Sequence, residues 1–286
     1  MIAGEFDALM YWIRERERIR ALKDAKAPRP WTADPILRDW RFCNVNRCDD
    51  TVTRWIFSRV IEPHRSSPLL WFNLAIARLI NWPATLAALG YFDEWNPGRF
   101  VAVLNDVRGK VFTGAYMIPA GPKGVNKARF LADVVLAPLW GWRSSAPARW
   151  GATCEAWAAF LLKAPALGDF LVNQVVTDMR YTPHLADATD WETFVLAGPG
   201  TTRGLNRIHG RSLGASWKPG AAASAIMELR RAVVAAEPSI APIMRDPNNL
   251  SNCLCEFDKY KRVQLGEGKP RARYEPAGLD LFGGLA

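Results

Sequence analysis

Residues 69 to 80, LLWFNLAIARLI, limit the possible folds of this chain more than any other stretch. The run is apolar nearly all round, and a helix without a polar face belongs at the centre of a fold. Most of the remaining chain reads with the same helical period. In 5 to 26, Phe6, Leu9, Met10 and Ile13 form an apolar stripe, and RERERIR is expected on the solvated face. Val45, Cys48, Val52, Trp55, Ile56 and Val60 recur at three- and four-residue steps, which predicts one helix over 45 to 60. Pro83 opens PATLAALG and Gly90 stops it. Asp246 and Pro247 open a helix over 247 to 263, with Lys259, Lys261 and Arg262 at its negative dipole end and Gly266 beyond. The sequence contains no long alternating strand pattern and no internal repeat. The expected fold class is all-α.

A chain of 286 residues that is 49% hydrophobic can bury one large core or two lobes that share a cleft. The organisation expected is a single all-α unit over 1–286. Residues 29–140 form a helical lobe, and 141–215 carry a helical hairpin followed by the AGPG loop. Residues 216–265 complete the cleft, and 266–286 form an extended Gly/Pro-rich tail. The net charge of +9 favours a polyanionic partner, nucleic acid first, with a merely basic soluble enzyme as the equal alternative. No apolar run reaches the roughly 20 residues a bilayer span needs. Glu5 and Asp7 stand where a secretory signal would be basic, so a cytoplasmic protein is expected. Cys43, Cys48, Cys154, Cys253 and Cys255 lack zinc-ribbon spacing and read as buried thiols. His64, His184 and His209 have no ligand spacing, so no metal role is assigned.

Four segments hold the candidate chemistry. On the expected 45–60 helix, Arg47, Asp50 and Arg54 fall at i, i+3 and i+7 on one polar stripe, with Arg41 and Asn44 just before it. That is either a surface ion-pair ladder or a rigid arginine set for phosphate or pyrophosphate, oriented by Asp50. In KAPALGDFLVNQVVTDMRYT, two helices meet at a hairpin bearing Gly168, which could turn backbone N–H groups towards a DNA phosphate. Gln174 and Asp178 follow among Leu171, Val172, Val175 and Val176; a carboxylate there must be paired or functional. AGPGTTRG, with Gly198, Gly200 and Arg203, reads as an anion nest or as a structural loop. No G-x-x-x-x-G-K-[ST] occurs in the chain. Glu256, Lys259 and Tyr260 cluster at i, i+3 and i+4, either as a surface pair beside a tyrosine or as substrate-facing groups.

Three of these stretches carry a resemblance. RPWTADPILRDWRFCNVNRCDDTVTRWI, AGPGTTRG and LCEFDKYKRVQLGEGKPRARY resemble the phage α-glutamyl/putrescinyl-thymine pyrophosphorylase family, or amino acid:DNA transferases, over most of 29 to 275. NKARFLADVVL and LLKAPALGDFLVNQVV are also similar to helix-hairpin-helix DNA glycosylases, without their lysine nucleophile, and that similarity implies two helical lobes around a cleft. The resemblance implies thymine hypermodification in phage DNA, in the host cytoplasm. A separate kinase makes 5-pyrophosphoryloxymethyl-uracil, and this family displaces the pyrophosphate with a glycine-like amino acid, glutamate or putrescine. Its partners are then double-stranded DNA with a modified uracil, flipped into the cleft, and a small amine. On that reading Asp178 and Glu256 are the candidate bases and Asp50 orients Arg41, Arg47 and Arg54 on the leaving group. Asn44, Gln174, Lys259 and Tyr260 contact substrate, while Gly168, Gly198, Gly200 and Arg203 face DNA. No cofactor is required, and Mg²⁺ is compatible with the chemistry. The alternatives are excision of a modified thymine and a non-catalytic DNA-binding subunit.

Overall fold

A computed structural model describes residues 1–114, 116–148 and 151–274. In chain order they form α1 (Ala3–Asp24), α2 (Pro35–Asp39), α3 (Thr51–Ile56), α4 (Leu70–Ile80), α5 (Pro83–Leu89), α6 (Pro97–Asp106), α7 (Lys127–Phe130) and α8 (Ala137–Gly141). They continue as α9 (Cys154–Leu161), α10 (Asp169–Met179), α11 (Pro199–Ile208), α12 (Ala221–Ala236), α13 (Ala241–Met244) and α14 (Pro247–Gln264). Short 3-10 and π turns fill some gaps, and the described residues hold no strand, only an isolated bridge between Trp40 and Arg273. The all-α expectation holds.

The chain divides into two compact units, and the divisions fall after Asp50 and Trp191 rather than near 140 and 215. Among the described residues, the first unit joins Met1–Asp50 to residues 192–274, and the second is Thr51–Trp191. The tail from 275 on lies outside the described residues.

In the first unit, α1 buries Leu9, Met10 and Ile13 of the expected stripe, with Phe6 partly buried and Trp12 and Ile19 added, in a core shared with Leu205, Leu254 and Phe257. Asp246 caps α14 by accepting from the Asn248 N–H at 2.9 Å, with Pro247 as its first residue, as the sequence expects. Asp34 caps α2 in the same way, accepting from Ile36 N at 2.8 Å and Leu37 N at 3.1 Å. α11 and α14 approach unusually closely. A methyl group at Gly204 would overlap the Leu254 carbonyl oxygen, and one at Gly200 would overlap the Cys255 sulfur. These two glycines are therefore where the helices touch.

In the second unit every residue of α4 is buried, as a helix apolar on all faces must be. Trp71 packs on Trp157 of α9, and α10 lies along α4. Asn81 ends α4 in a left-handed conformation (φ 47°), Pro83 opens α5 and Gly90 (φ 63°) closes it.

The stretch 45–60 is not one helix. Residues 47 to 49 form a 3-10 turn, Asp50 is extended (φ −73°, ψ 134°), and α3 starts only at Thr51. Local side chains outcompete the helix here. Asn46 accepts from Cys48 N at 3.0 Å, and Asp50 accepts from Asn44 N at 2.9 Å. Arg47, Asp50 and Arg54 therefore share no helical stripe.

Candidate functional site

The irregular segment 40–50 leaves backbone groups that no helix satisfies, and such groups need partners when buried. Side chains of α1 and α14 supply them. Arg16 of α1 donates through Nε to Cys43 O at 3.2 Å, and through Nη2 to Phe42 O at 3.3 Å and Asn44 Oδ1 at 3.2 Å. Glu256 of α14 accepts from Cys43 N at 2.9 Å, and Asn249 accepts from Arg47 N at 3.1 Å. Asn44 closes the segment on itself by donating through Nδ2 to Asp49 O at 3.0 Å.

This arrangement gathers Arg16, Arg47 and Lys259 with Asp50 and Glu256, and Glu17 also acts on Arg16. Arg16, Arg47 and Glu256 are buried, while Asn44, Asp50 and Lys259 keep partial access to solvent. Lys259 Nζ lies 2.5 Å from Glu256 Oε2 and 4.8 Å from the centre of the Phe42 ring. Burial pulls the Lys259 pKa down, but Glu256 and Cys43 outweigh it, and the net shift is upward. Burial lifts Asp50 to about 6. The Asn44 N–H and the Arg47 charge oppose that rise, and Glu256 adds to it. Burial, with Glu256 and Asp50 behind it, pushes the Cys43 thiol well up, so it stays protonated and is no nucleophile. A carboxyl that titrates near neutrality can take or give a proton, and the charges of Arg47 and Lys259 suit an anionic ligand.

Arg16 and Cys43 are the participants that the sequence reading missed, Arg16 having been placed on the solvated face of α1. It is in fact only 8% exposed.

The other expected residues fall as follows. Arg41 is exposed, and its backbone N donates to Ala272 O at 3.2 Å. Tyr260 does not offer its hydroxyl to a ligand; it donates to Asp34 Oδ2 at 2.8 Å, where Tyr11 also donates at 3.1 Å. Burial and Asp34 raise the Tyr260 pKa. AGPGTTRG is not an anion nest. Gly198 caps α11 in an ordinary extended conformation (φ −68°), Gly200 lies inside the first turn, and neither has the positive φ a nest requires. Arg203 pairs with the buried Asp258 at 3.1 Å, as do Arg207 at 2.8 Å and Arg262 at 3.2 Å.

Four expected site residues belong to the second unit. Arg54 is exposed on α3. Gly168 caps α10 with φ −95°, while the left-handed position of that turn is Ala166 (φ 64°). Gln174 accepts from the Tyr116 hydroxyl at 3.2 Å. Asp178, fully buried, receives Arg78 on both oxygens, Nε at 2.5 Å and Nη2 at 2.7 Å. The same guanidinium donates to Thr53 Oγ1 and Asn81 Oδ1, each at 3.1 Å. Asp178 is thus a brace between α4 and α10 and not a base, because both its oxygens are engaged by a permanent cation.

Among the described residues no three His, Cys, Asp or Glu side chains gather as a metal site, and no helix is long and apolar enough to cross a membrane.

Residues 4–270 match the family model described as "5-hmdU DNA kinase, helical domain". The 5-hmdU DNA kinase of Bacillus phage SP10 is 25% identical over 231 residues, which cover 70% of this chain and 36% of that protein. The chain thus spans about a third of the length of the curated relative it matches. No solved structure matches. A match over nearly the whole described length, in an all-helical chain, settles the family: the protein belongs to the 5-hmdU DNA kinase helical-domain family.

Proposed function

We propose that this chain acts in thymine hypermodification of phage DNA, as the enzyme that replaces pyrophosphate on 5-pyrophosphoryloxymethyl-uracil with an amine or amino acid. The family supports the DNA and the base; the observation that carries the transfer step is Asp50. It is a partly accessible carboxyl held at about 6 and felt by Arg47, Arg16 and Glu256, the last of which pairs with Lys259. In this reaction the amine nitrogen attacks the C5 methylene carbon and the carbon–oxygen bond to pyrophosphate breaks. The bonding pair leaves with the pyrophosphate, whose charge Arg47 and Lys259 meet. Asp50 takes the proton that the amine sheds. Glu256 holds Lys259 and the Cys43 backbone in place. The reaction needs no phosphate-cradling loop of the G-x-x-x-x-G-K-[ST] kind, and this sequence has none.

The test is to incubate the protein with DNA carrying 5-pyrophosphoryloxymethyl-uracil and labelled glycine, glutamate or putrescine, then to analyse the nucleosides by mass spectrometry. An amine adduct is expected, at a rate that rises with pH through about 6 as Asp50 loses its proton. Asp50→Asn should lower the rate at least about 100-fold while the protein stays folded. No adduct with any of these amines, on DNA shown to carry the pyrophosphoryl group, refutes the transfer step.

One observation favours a second reading. The chain covers only 36% of a relative named as a kinase. On that reading it is a non-catalytic DNA-holding subunit, identified by salt-sensitive DNA binding without any adduct. Abasic sites in treated DNA would instead identify base excision.

A further inference from the structure

One surface of the first unit carries groups that the buried cluster does not use. The segment 269–274 runs beside the chain that enters and leaves α2. Arg41 N donates to Ala272 O at 3.2 Å, Tyr274 N donates to Asp39 O at 2.9 Å, and Trp40 bridges Arg273. This pairing brings three half-buried rings together, Trp31, Trp40 and Tyr274. Trp31 and Trp40 rest on the core beneath, and Trp31 meets Tyr274 edge to face at 6.1 Å. Guanidiniums lie across the rings. Arg29 is 5.4 Å from the centre of Trp31 and 5.1 Å from that of Tyr274, and Arg273 is 5.2 Å from that of Trp40. Arg29, Arg41 and Arg273 are all exposed. Among the described residues, the carboxylate nearest this strip in sequence, Asp39, is paired with Arg38 at 2.7 Å.

Aromatic faces backed by a core and interleaved with exposed cations match the repeat of an unpaired nucleic-acid strand. Each base offers a face to stack, and each linkage offers a phosphate. A duplex meets the cations but hides its base faces. We propose that this strip binds a single-stranded segment of DNA, with phosphates on Arg29, Arg41 and Arg273 and bases against Trp40 and the Trp31–Tyr274 pair. A base displaces the guanidinium from the ring because base stacking is stronger than an exposed cation–π contact, and the arginine turns to the adjoining phosphate. The proposal rests on the reading that this chain handles DNA; it does not depend on the transfer chemistry. Its role there is to hold the strand opened around a target base.

The full chain is titrated into a labelled, unmodified thymidine oligonucleotide of about 15 residues, and into a blunt duplex of the same length, with anisotropy as readout. The oligonucleotide should bind at least about tenfold more tightly than the duplex. Joint Arg29→Glu and Arg273→Glu should weaken oligonucleotide binding by more than about tenfold and flatten the salt slope by roughly 1.4, two single-strand phosphate contacts. Trp40→Ala should weaken it by about tenfold. Trp40 also packs on the core, so a misfolded Trp40→Ala protein leaves the decision to the arginine pair, whose side chains are exposed. Equal affinity for oligonucleotide and duplex, or wild-type affinity in the folded arginine variant, overturns the proposal. Strip-dependent binding without any amine adduct counts against the transfer reading alone. Adducts formed with full oligonucleotide affinity in the arginine variant count against the strip alone.

Discussion

Asp50 ties folding free energy to pH, because its carboxyl binds a proton more tightly in the folded chain than in the unfolded one. The unfolded group titrates near 3.8 and the folded one at about 6. Below the lower value both states are protonated and the difference vanishes. Between the two, the unfolded chain gives up its proton first, so stability falls as pH rises through that window and then levels off. The full effect is about 3 kcal/mol. Urea unfolding of wild type and Asp50→Asn at several pH values checks this: the stability of wild type relative to the variant should decline from about pH 4 to 6. A constant difference would mean that burial does not perturb the group. The Arg78–Asp178 pair makes a second prediction. Removing one partner leaves a buried charge alone, so Asp178→Asn should cost about 3–5 kcal/mol in urea unfolding. Joint Arg78→Met and Asp178→Leu should recover most of that loss. Both halves of this pair could be read in the sequence as charges misplaced on apolar helices, Arg78 within LLWFNLAIARLI and Asp178 within FLVNQVVTDM. Their partnership could not, because no spacing rule relates residues a hundred positions apart. Arg16 left a weaker trace. It stands three residues from both Ile13 and Ile19, on the buried stripe, yet RERERIR reads first as a solvated run.

At the scale of elements, periodicity and capping residues located most helices, including both ends of α14 and the turn from α4 into α5. They failed at 45–60, where the apolar spacing is helical but Asn44, Asn46 and Asp50 tie up the backbone that a helix would need. The glycines of AGPGTTRG were legible as special positions, but their reason was not. Gly200 and Gly204 serve contact between α11 and α14, a pairing of segments about fifty residues apart. An alanine inside a helix ordinarily stabilises relative to glycine. Here the sign should reverse. Gly204→Ala drives a methyl group into the Leu254 carbonyl and should cost about 3 kcal/mol. Gly200→Ala meets a cysteine side chain that can rotate away, so a loss of about 1 kcal/mol is expected. Denaturant midpoints of the two variants rank them; a neutral Gly204→Ala would show that the two helices separate without strain.

For the molecule as a whole, the all-α class could be read from helical periodicity and the lack of an alternating pattern, but the division into units could not. Contiguous lobes are what a linear reading offers, whereas the first unit is built from the two ends of the chain with Thr51–Trp191 inserted between them. The cause is core packing. Leu9, Trp12 and Ile13 bury against Leu254 and Phe257, and the loop 40–50 depends on Arg16 and Glu256 for its hydrogen bonds. The second unit carries its own core, in which Trp71 meets Trp157 and Phe72 meets Trp95. Two fragments should therefore behave differently. Residues 51–191 expressed alone should keep a cooperative urea transition, because the segment contains all the partners of α4 and α10 named above. Residues 192–274 alone should not, since Leu254 and Phe257 would face water without α1, and exposing several such side chains costs about 1.5–3 kcal/mol each, comparable with a domain's whole stability. Adding residues 1–50 as a separate peptide should restore a cooperative transition in far-UV circular dichroism. Cooperative folding of 192–274 without that peptide would show that the α1 contact is dispensable and would detach Arg16 from the architecture that positions Asp50.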